Sequence, residues 1–146
     1  MAHQYAVGVK DQAPLLFVVA GTVSPALARV RYTELEGRAT GVAPSSDRPI
    51  FTRVTTAGTV PTVVTAEPLN PLSPASQFQG EYAYAGLAPV TGVSSPGYPV
   101  VRDGYGQKVR YGPNSGLIIP DSCPLAVVAD AMTNWVWDVN IVFEEL

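Results

Sequence analysis

Residues 134–146 read "NWVWDVNIVFEEL", and within them Trp135, Trp137, Val139, Ile141 and Phe143 occupy every second position. Successive side chains of a strand point to opposite faces, whereas a helix would scatter the same residues around its axis. The spacing therefore predicts a long strand with five large apolar groups on one face, spread over roughly 30 Å. Asp138, Asn140 and Glu144 fall on the other face, together with Val136 and Val142. A face this apolar has to be covered by the protein's own core or by a neighbour. The two tryptophans are accordingly expected to be core groups, not a ligand platform.

The rest of the chain is punctuated every few residues by turn signals, among them "KDQAP", "GTVSP", "APSSDRP", "SSPGYP", "RDGYGQ", "YGPNSG" and "PDSCP". Between them lie short runs with β-branched and aromatic residues, the spacing of an all-β sandwich or barrel. Predicted strands cover residues 4–10, 15–20, 28–36, 51–56, 62–66, 81–85, 100–102, 108–111, 117–119, 125–129 and 134–144. The last is expected to form a hairpin with "PLAVVAD" through a turn at 131–133. One stretch admits two readings. "SPALARVRYTELEG" offers Ser24 as a helix cap, Pro25 at a first helical position and Gly37 as a stop. Against a helix, Ala28, Val30 and Tyr32 alternate with Arg29, Arg31 and Thr33, which favours a strand.

Residues 57–76, "AGTVPTVVTAEPLNPLSPAS", form the most unusual segment. Pro61, Pro68, Pro71 and Pro74 remove backbone donors and exclude a regular helix. The last three are spaced by three, one turn of polyproline II. Val63, Val64, Leu69 and Leu72 lie among them, so the segment is expected to be an extended arm laid across a surface. Residues 86–106 make a second irregular region containing Tyr98 and Tyr105. Long irregular segments inside a compact domain usually carry function or partner contacts.

A length of 146 residues suits one domain with its own core. Only 14% of residues are charged, below the roughly 25% of ordinary soluble domains, while 47% are hydrophobic. Such a balance fits a β-rich domain whose surface is largely covered by partners. A net charge of −3 with nine scattered basic residues argues against direct nucleic-acid binding. The single cysteine, Cys123, excludes an intrachain disulfide and reads as a small buried hydrophobe. The opening residues lack a signal-peptide pattern, and "PLLFVVAGTV" is too short to cross a bilayer, so cytoplasmic synthesis and no membrane partner are expected.

Catalytic signatures are equally sparse. With His3 the only histidine and Cys123 the only cysteine, neither a zinc site nor a histidine-based triad is expected. No phosphate loop occurs, so no metal and no cofactor are expected. The carboxylates fit solvent-facing strand or turn positions, although a glycosidase-like pair stays open as a reading. Tyr82 with Tyr84 and Trp135 with Trp137 fit core or interface anchors better than sugar platforms.

The order of the pieces carries a resemblance. From "RVRYTELEGRATG" the chain runs through "TRVTTAGTVPTVVTAEPLNPLSPAS" and closes with "SGLIIPDSCPLAVVADAMTNWVWDVNIVFEEL". Over residues 28–146 this layout resembles small virion proteins of tailed bacteriophages, of the capsid decoration or cement kind. In these, a "T-x-x-T-x-E-P-L-x-P-x-x-P-A" stretch follows the early strands, and a "G-L-I-I-P-x-x-x-P-L-A-V" hairpin precedes an acidic-ended last strand. The resemblance implies a jelly-roll-like β-sandwich that is not an enzyme. It would bind the assembled major capsid protein shell from the capsid exterior, as a homo-oligomer and often a trimer, and stabilise it by bridging capsomers. No residue-level site carries over, so the irregular segments supply the candidate contacts: Glu67, Pro68, Leu69, Pro71, Leu72 and Pro74 in the arm, the residues before Tyr5, and Tyr98 and Tyr105 in the loop at 94–105. A tail or head-fibre component, and a carbohydrate-binding β-sandwich using Tyr98, Tyr105 or the tryptophans, are the alternative expectations.

Overall fold

The computed structural model describes residues 3–12, 16–39, 46–47, 50–56, 62–82, 88–90, 101–102, 106–112, 114–128 and 135–146. Among them the chain forms strands and no helix. In order these are β1 (His3–Gln12), β2 (Leu16–Gly21), β3 (Leu27–Ala39), β4 (Ser46–Asp47), β5 (Ile50–Thr56), β6 (Thr62–Thr65) and β7 (Glu67–Pro68). They continue with β8 (Phe78–Tyr82), β9 (Ala88–Val90), β10 (Val101–Arg102), β11 (Gly106–Arg110), β12 (Ile118–Pro120), β13 (Leu125–Val128) and β14 (Trp135–Glu145). All pairings are antiparallel. A first sheet runs β11-β3-β14-β1-β7, with β12 sharing the outer edge of β3, and a second runs β6-β8-β2-β13-β5-β9.

The pairings nest: β1 lies on β14, β2 on β13 and β3 on β12. With β14 on β3, β5 on β13 and β9 on β5, four strands of each six-stranded sheet take the jelly-roll arrangement. The chain is therefore an all-β sandwich, as its turn spacing predicts. The expected hairpin between β13 and the last strand does not form. Both edges of β14 are taken by β1 and β3, so the chain crosses from one sheet to the other between β13 and β14. The strand expected at 81–85 is β8, which starts earlier, at Phe78.

The alternation of the last strand appears as drawn from the sequence for the side chains described. Trp137, Val139, Ile141 and Phe143 are buried between the sheets, and Asp138, Asn140 and Glu144 are half-buried on the outer face. From β1 they meet Tyr5, Val7 and Val9, and from the second sheet Phe17, Val19, Phe51, Phe78, Leu125 and Val127. Phe143 links the layers: its ring stacks on Tyr5 with centroids 5.7 Å apart and meets the Phe78 ring edge-on at 5.6 Å. The sheets also approach closely at Gly80, where a Cβ would stand 2.7 Å from Val7 and 2.8 Å from the Phe17 ring. Strands β2 and β13 are also covered on their second face, where Val18, Ala20 and Ala126 form a smaller buried cluster. Burial on both faces explains why "LFVVA" and "LAVV" are continuous apolar runs.

The ambiguous stretch is strand β3, and a bulge explains its mixed pattern. Val142 pairs with Tyr32 but Phe143 with Val30, leaving Arg31 as the extra residue. Ahead of the bulge, Ala28 and Val30 point inward; beyond it, Thr33 and Leu35 do. A second bulge sets Lys10 and Asp11 against Asp138 alone. Asp11 adopts a left-handed φ of 58°, which a short polar side chain tolerates. Its amide donates to Asp138 Oδ1 at 2.9 Å, and Arg38 donates to both carboxylates.

At one end of the sandwich Asp121 joins two connections. Its amide donates to the Ala26 carbonyl and its Oδ1 accepts from the Ala26 amide, each at 3.0 Å. The bond from Ala26, then that from the Ser24 side chain, hold the Asp121 carboxyl below the usual carboxylate range. This contribution is complete above the ordinary aspartate pKa of about 3.9 and is lost as pH falls through the lower folded value. Urea unfolding measured as pH is lowered should therefore show Asp121→Asn losing less stability on acidification than the unaltered chain. Phe143→Ala empties the contact between the sheets and should cost about 3–5 kcal/mol in the same assay at neutral pH.

Candidate partner-binding surface

The proline-rich segment is an insertion in the jelly roll, between β5 and β9. It travels to the opposite edge of the sandwich, where β6 and β8 extend the second sheet beyond β2 and β7 extends the first beyond β1. Ala66, buried between β6 and β7, is the corner at which the chain changes sheet. Pro68 lies opposite Tyr5 on the outermost strand of the first sheet, a place where its missing donor leaves no gap in the ladder. The Leu69 amide then donates to the Gln4 carbonyl at 3.0 Å.

Beyond Leu69 the expected polyproline II run gives way to a turn. The Ser73 amide donates to the Asn70 carbonyl at 2.9 Å, and the Leu72 amide to Asn70 Oδ1 at 3.0 Å. Pro71 thus occupies the second position of a β-turn, where its fixed φ is suited, and Asn70 the first. The three-residue proline spacing here serves a strand, a turn and the return path in succession.

The arm is tied down along its length. His3 Nδ1 lies 2.9 Å from Ser73 Oγ, and the Tyr5 hydroxyl donates to the Pro74 carbonyl at 2.8 Å. Ser76 Oγ and the Gln77 amide both donate to Glu145 Oε1, at 2.7 Å and 2.5 Å. The Thr22 amide donates to the Gln77 carbonyl at 2.8 Å. Burial, and secondarily Glu145, push the Tyr5 hydroxyl above its ordinary pKa, so it stays a donor throughout the physiological range.

What this scaffold presents is apolar. Leu72 is 91% exposed and Leu69 55%, with Pro71 and Pro74 exposed beside them. Glu67 is exposed and Pro68 half-buried. The structure thus brings all six arm candidates together and sets them against His3 and Gln4, part of the N-terminal stretch expected to share the contact. Tyr98 and Tyr105 lie outside the described residues. Exposed Val63 on β6 extends the apolar surface. Val23, Leu27 and Leu146, also exposed, were not singled out by sequence; Leu146 donates its amide to the Leu27 carbonyl at 2.9 Å.

The residues considered for other chemistry have the following surroundings. Among the described residues no group of three or more His, Cys, Asp or Glu is placed to hold a metal ion. A depression of about 470 Å³ on the outer face of the first sheet is lined in part by Glu34, Glu36 and Asp138. Asp138 is engaged by Arg38 and the Asp11 amide; Glu34 accepts from Tyr32 and stands 3.8 Å from Lys108. Glu81, buried on the second sheet, accepts from Gln79 through Oε1, while its Oε2 has no hydrogen-bond partner among the described residues. Trp137 is closed in the core and offers no stacking face.

Comparison of the chain with protein families, with characterised proteins and with solved structures finds no match in any of the three. The arm's hydrogen bonds give the surface its rigidity. Tyr5→Phe should therefore lower stability by about 0.5–1.5 kcal/mol and speed amide exchange at Leu69 and Ser73, measured by hydrogen–deuterium exchange.

Proposed function

We propose that this protein is a structural virion protein, a capsid decoration or cement subunit that docks on an assembled major capsid protein shell. Its action is binding alone, with no reaction and no cofactor. The observation that carries the reading is the arm at Glu67–Pro74: a turn pinned by His3 and Tyr5 of β1, its return path held by Glu145 of β14, that keeps a leucine almost wholly in solvent. An ordered segment loses little conformational entropy on docking, so the contact free energy of Leu69, Pro71 and Leu72 goes largely into affinity. The layout resemblance to phage decoration proteins supports the same reading, and the jelly roll is compatible with it. The fold does not select it alone, since viral and sugar-binding domains both use this architecture. Bridging of capsomers from the exterior, as a homotrimer, is the form in which such an arm adds to shell stability.

The test is co-sedimentation. The chain should be recovered with intact particles in a fixed ratio to the major capsid protein, and its absence from particles would end the proposal. Burying one leucine side chain is worth about 1.5–3 kcal/mol, and an aspartate in its place brings an unpaired charge to the contact. Leu72→Asp should therefore reduce particle occupancy by more than about tenfold while leaving the thermal midpoint of the free protein unchanged.

A further inference from the structure

Beside the arm, on the outer face of the first sheet, lies a second depression of about 370 Å³. It is lined by Gln4, Arg31, Tyr32, Leu69, Arg110, Tyr111 and Val142. Register places them there: Arg110 of β11 pairs with Tyr32 of β3, which pairs with Val142 of β14. The bulge at Arg31 turns Tyr32 to this face. Both charged residues lining the depression are arginines, in a chain whose net charge is −3.

The two arginines are not equivalent. Arg31 donates to the Gly112 carbonyl at 2.8 Å and stands 3.9 Å from Glu144. Arg110 is exposed, and among the described residues it has no ion pair. Its guanidinium lies 5.0 Å above the centre of the Tyr32 ring. Tyr32 is itself fixed, donating from its hydroxyl to Glu34 Oε2 at 3.0 Å. The ring contact holds the guanidinium near Tyr32, and among the described residues no hydrogen bond engages its planar fork of N–H groups. That geometry matches the two oxygens of a carboxylate.

We propose that this depression receives a carboxylate side chain of the partner protein, clamped by Arg110, with Leu69 and Val142 taking the apolar part of the same segment. Leu69 belongs to both the arm and the depression, so the two surfaces are continuous. A sugar ring is disfavoured because the guanidinium covers the Tyr32 face it would stack on. A nucleic-acid backbone needs a track of available cations. Here Arg29 and Arg31 stand 3.9 Å from Glu144, and Lys108 stands 3.8 Å from Glu34. That the carboxylate belongs to a shell protein rests on the reading above; the carboxylate chemistry rests on the depression alone.

The probes are the peptide acetyl-Leu-Glu-Leu-amide, its glutamine counterpart and a single-stranded oligonucleotide, each titrated into the full chain and followed by NMR. The glutamate peptide should shift the Arg110 Nε–H and the Tyr32 amide saturably, binding about tenfold more tightly than the glutamine peptide. Arg110→Ala should abolish the shifts, and Arg110→Lys, which keeps the charge but not the fork, should weaken binding by about fivefold or more. Equal binding of the two peptides, shifts elsewhere, or an oligonucleotide that binds more tightly through Arg110 would each overturn the inference. A chain that sediments with particles but ignores the glutamate peptide refutes only the carboxylate receptor. One that binds the peptide but never appears on particles refutes only the virion reading.

Discussion

Strand β14 is hydrogen-bonded along both edges, and most of the molecule is arranged by that fact. On one side it fixes β1, whose outer edge receives β7 and so the start of the arm. On the other it fixes β3, whose outer edge receives β11 and β12. Facing inward, Phe143 touches Tyr5 from its own sheet and Phe78 from the opposite one. Two residues later Glu145 accepts from Ser76 and Gln77, where the arm returns toward β8. One strand therefore closes the core, sets the register of its sheet and anchors the exposed segment. Tyr5 joins the core to the arm, contributing its ring to the first and its hydroxyl to Pro74 in the second.

The sequence was most legible where one rule acted alone. Alternation from Trp137 to Phe143 sufficed to find the inner face of β14, because both bulges along that length fall on its neighbours, β1 and β3, and leave its own alternation unbroken. In β3 the same rule was interrupted: the five-residue step from Val30 to Leu35 is out of phase for a strand until Arg31 is counted as a bulge. The pairing partner of β14 was misjudged because proximity in sequence favours a hairpin, whereas the jelly roll sends "PLAVV" to the opposite sheet. In the arm, position was legible and conformation was not. Proline spacing pointed to polyproline II, although Asn70 followed by Pro71 is itself a turn signal. The Arg110 depression could not be read at all, since it exists only through the register of β11 on β3 and the phase change at Arg31.

Few charges are present, and those described are mostly committed to structure. Arg38 ties the β1 bulge to Asp138; Arg29 and Arg31 flank Glu144; Lys108 stands by Glu34; Glu145 holds the arm. Such pairs on a sheet face contribute little stability individually. Their more useful effect is positional, since each links neighbouring strands or a loop to a strand. The low charge content thus coexists with an ordered polar face on the first sheet, and it leaves Pro71 and Leu72 without a charged neighbour in the turn.

An exposed leucine on a sheet edge ordinarily invites indiscriminate association, because edge strands present unpaired backbone groups to any other edge. The arm avoids this by being almost no strand at all. Strand β7 is two residues long, one of them a proline without a donor, and Leu69 spends its amide on Gln4. Within the Asn70–Ser73 turn the Leu72 and Ser73 amides both donate to Asn70. Side chains are offered while the backbone is withheld, so association has to be earned by shape and apolar fit at Leu69 and Leu72, not by strand addition. This favours a partner with a complementary pocket over a second copy pairing edge to edge. The proposed decoration role would require this property, since such a subunit has to stay dispersed until it meets an assembled shell.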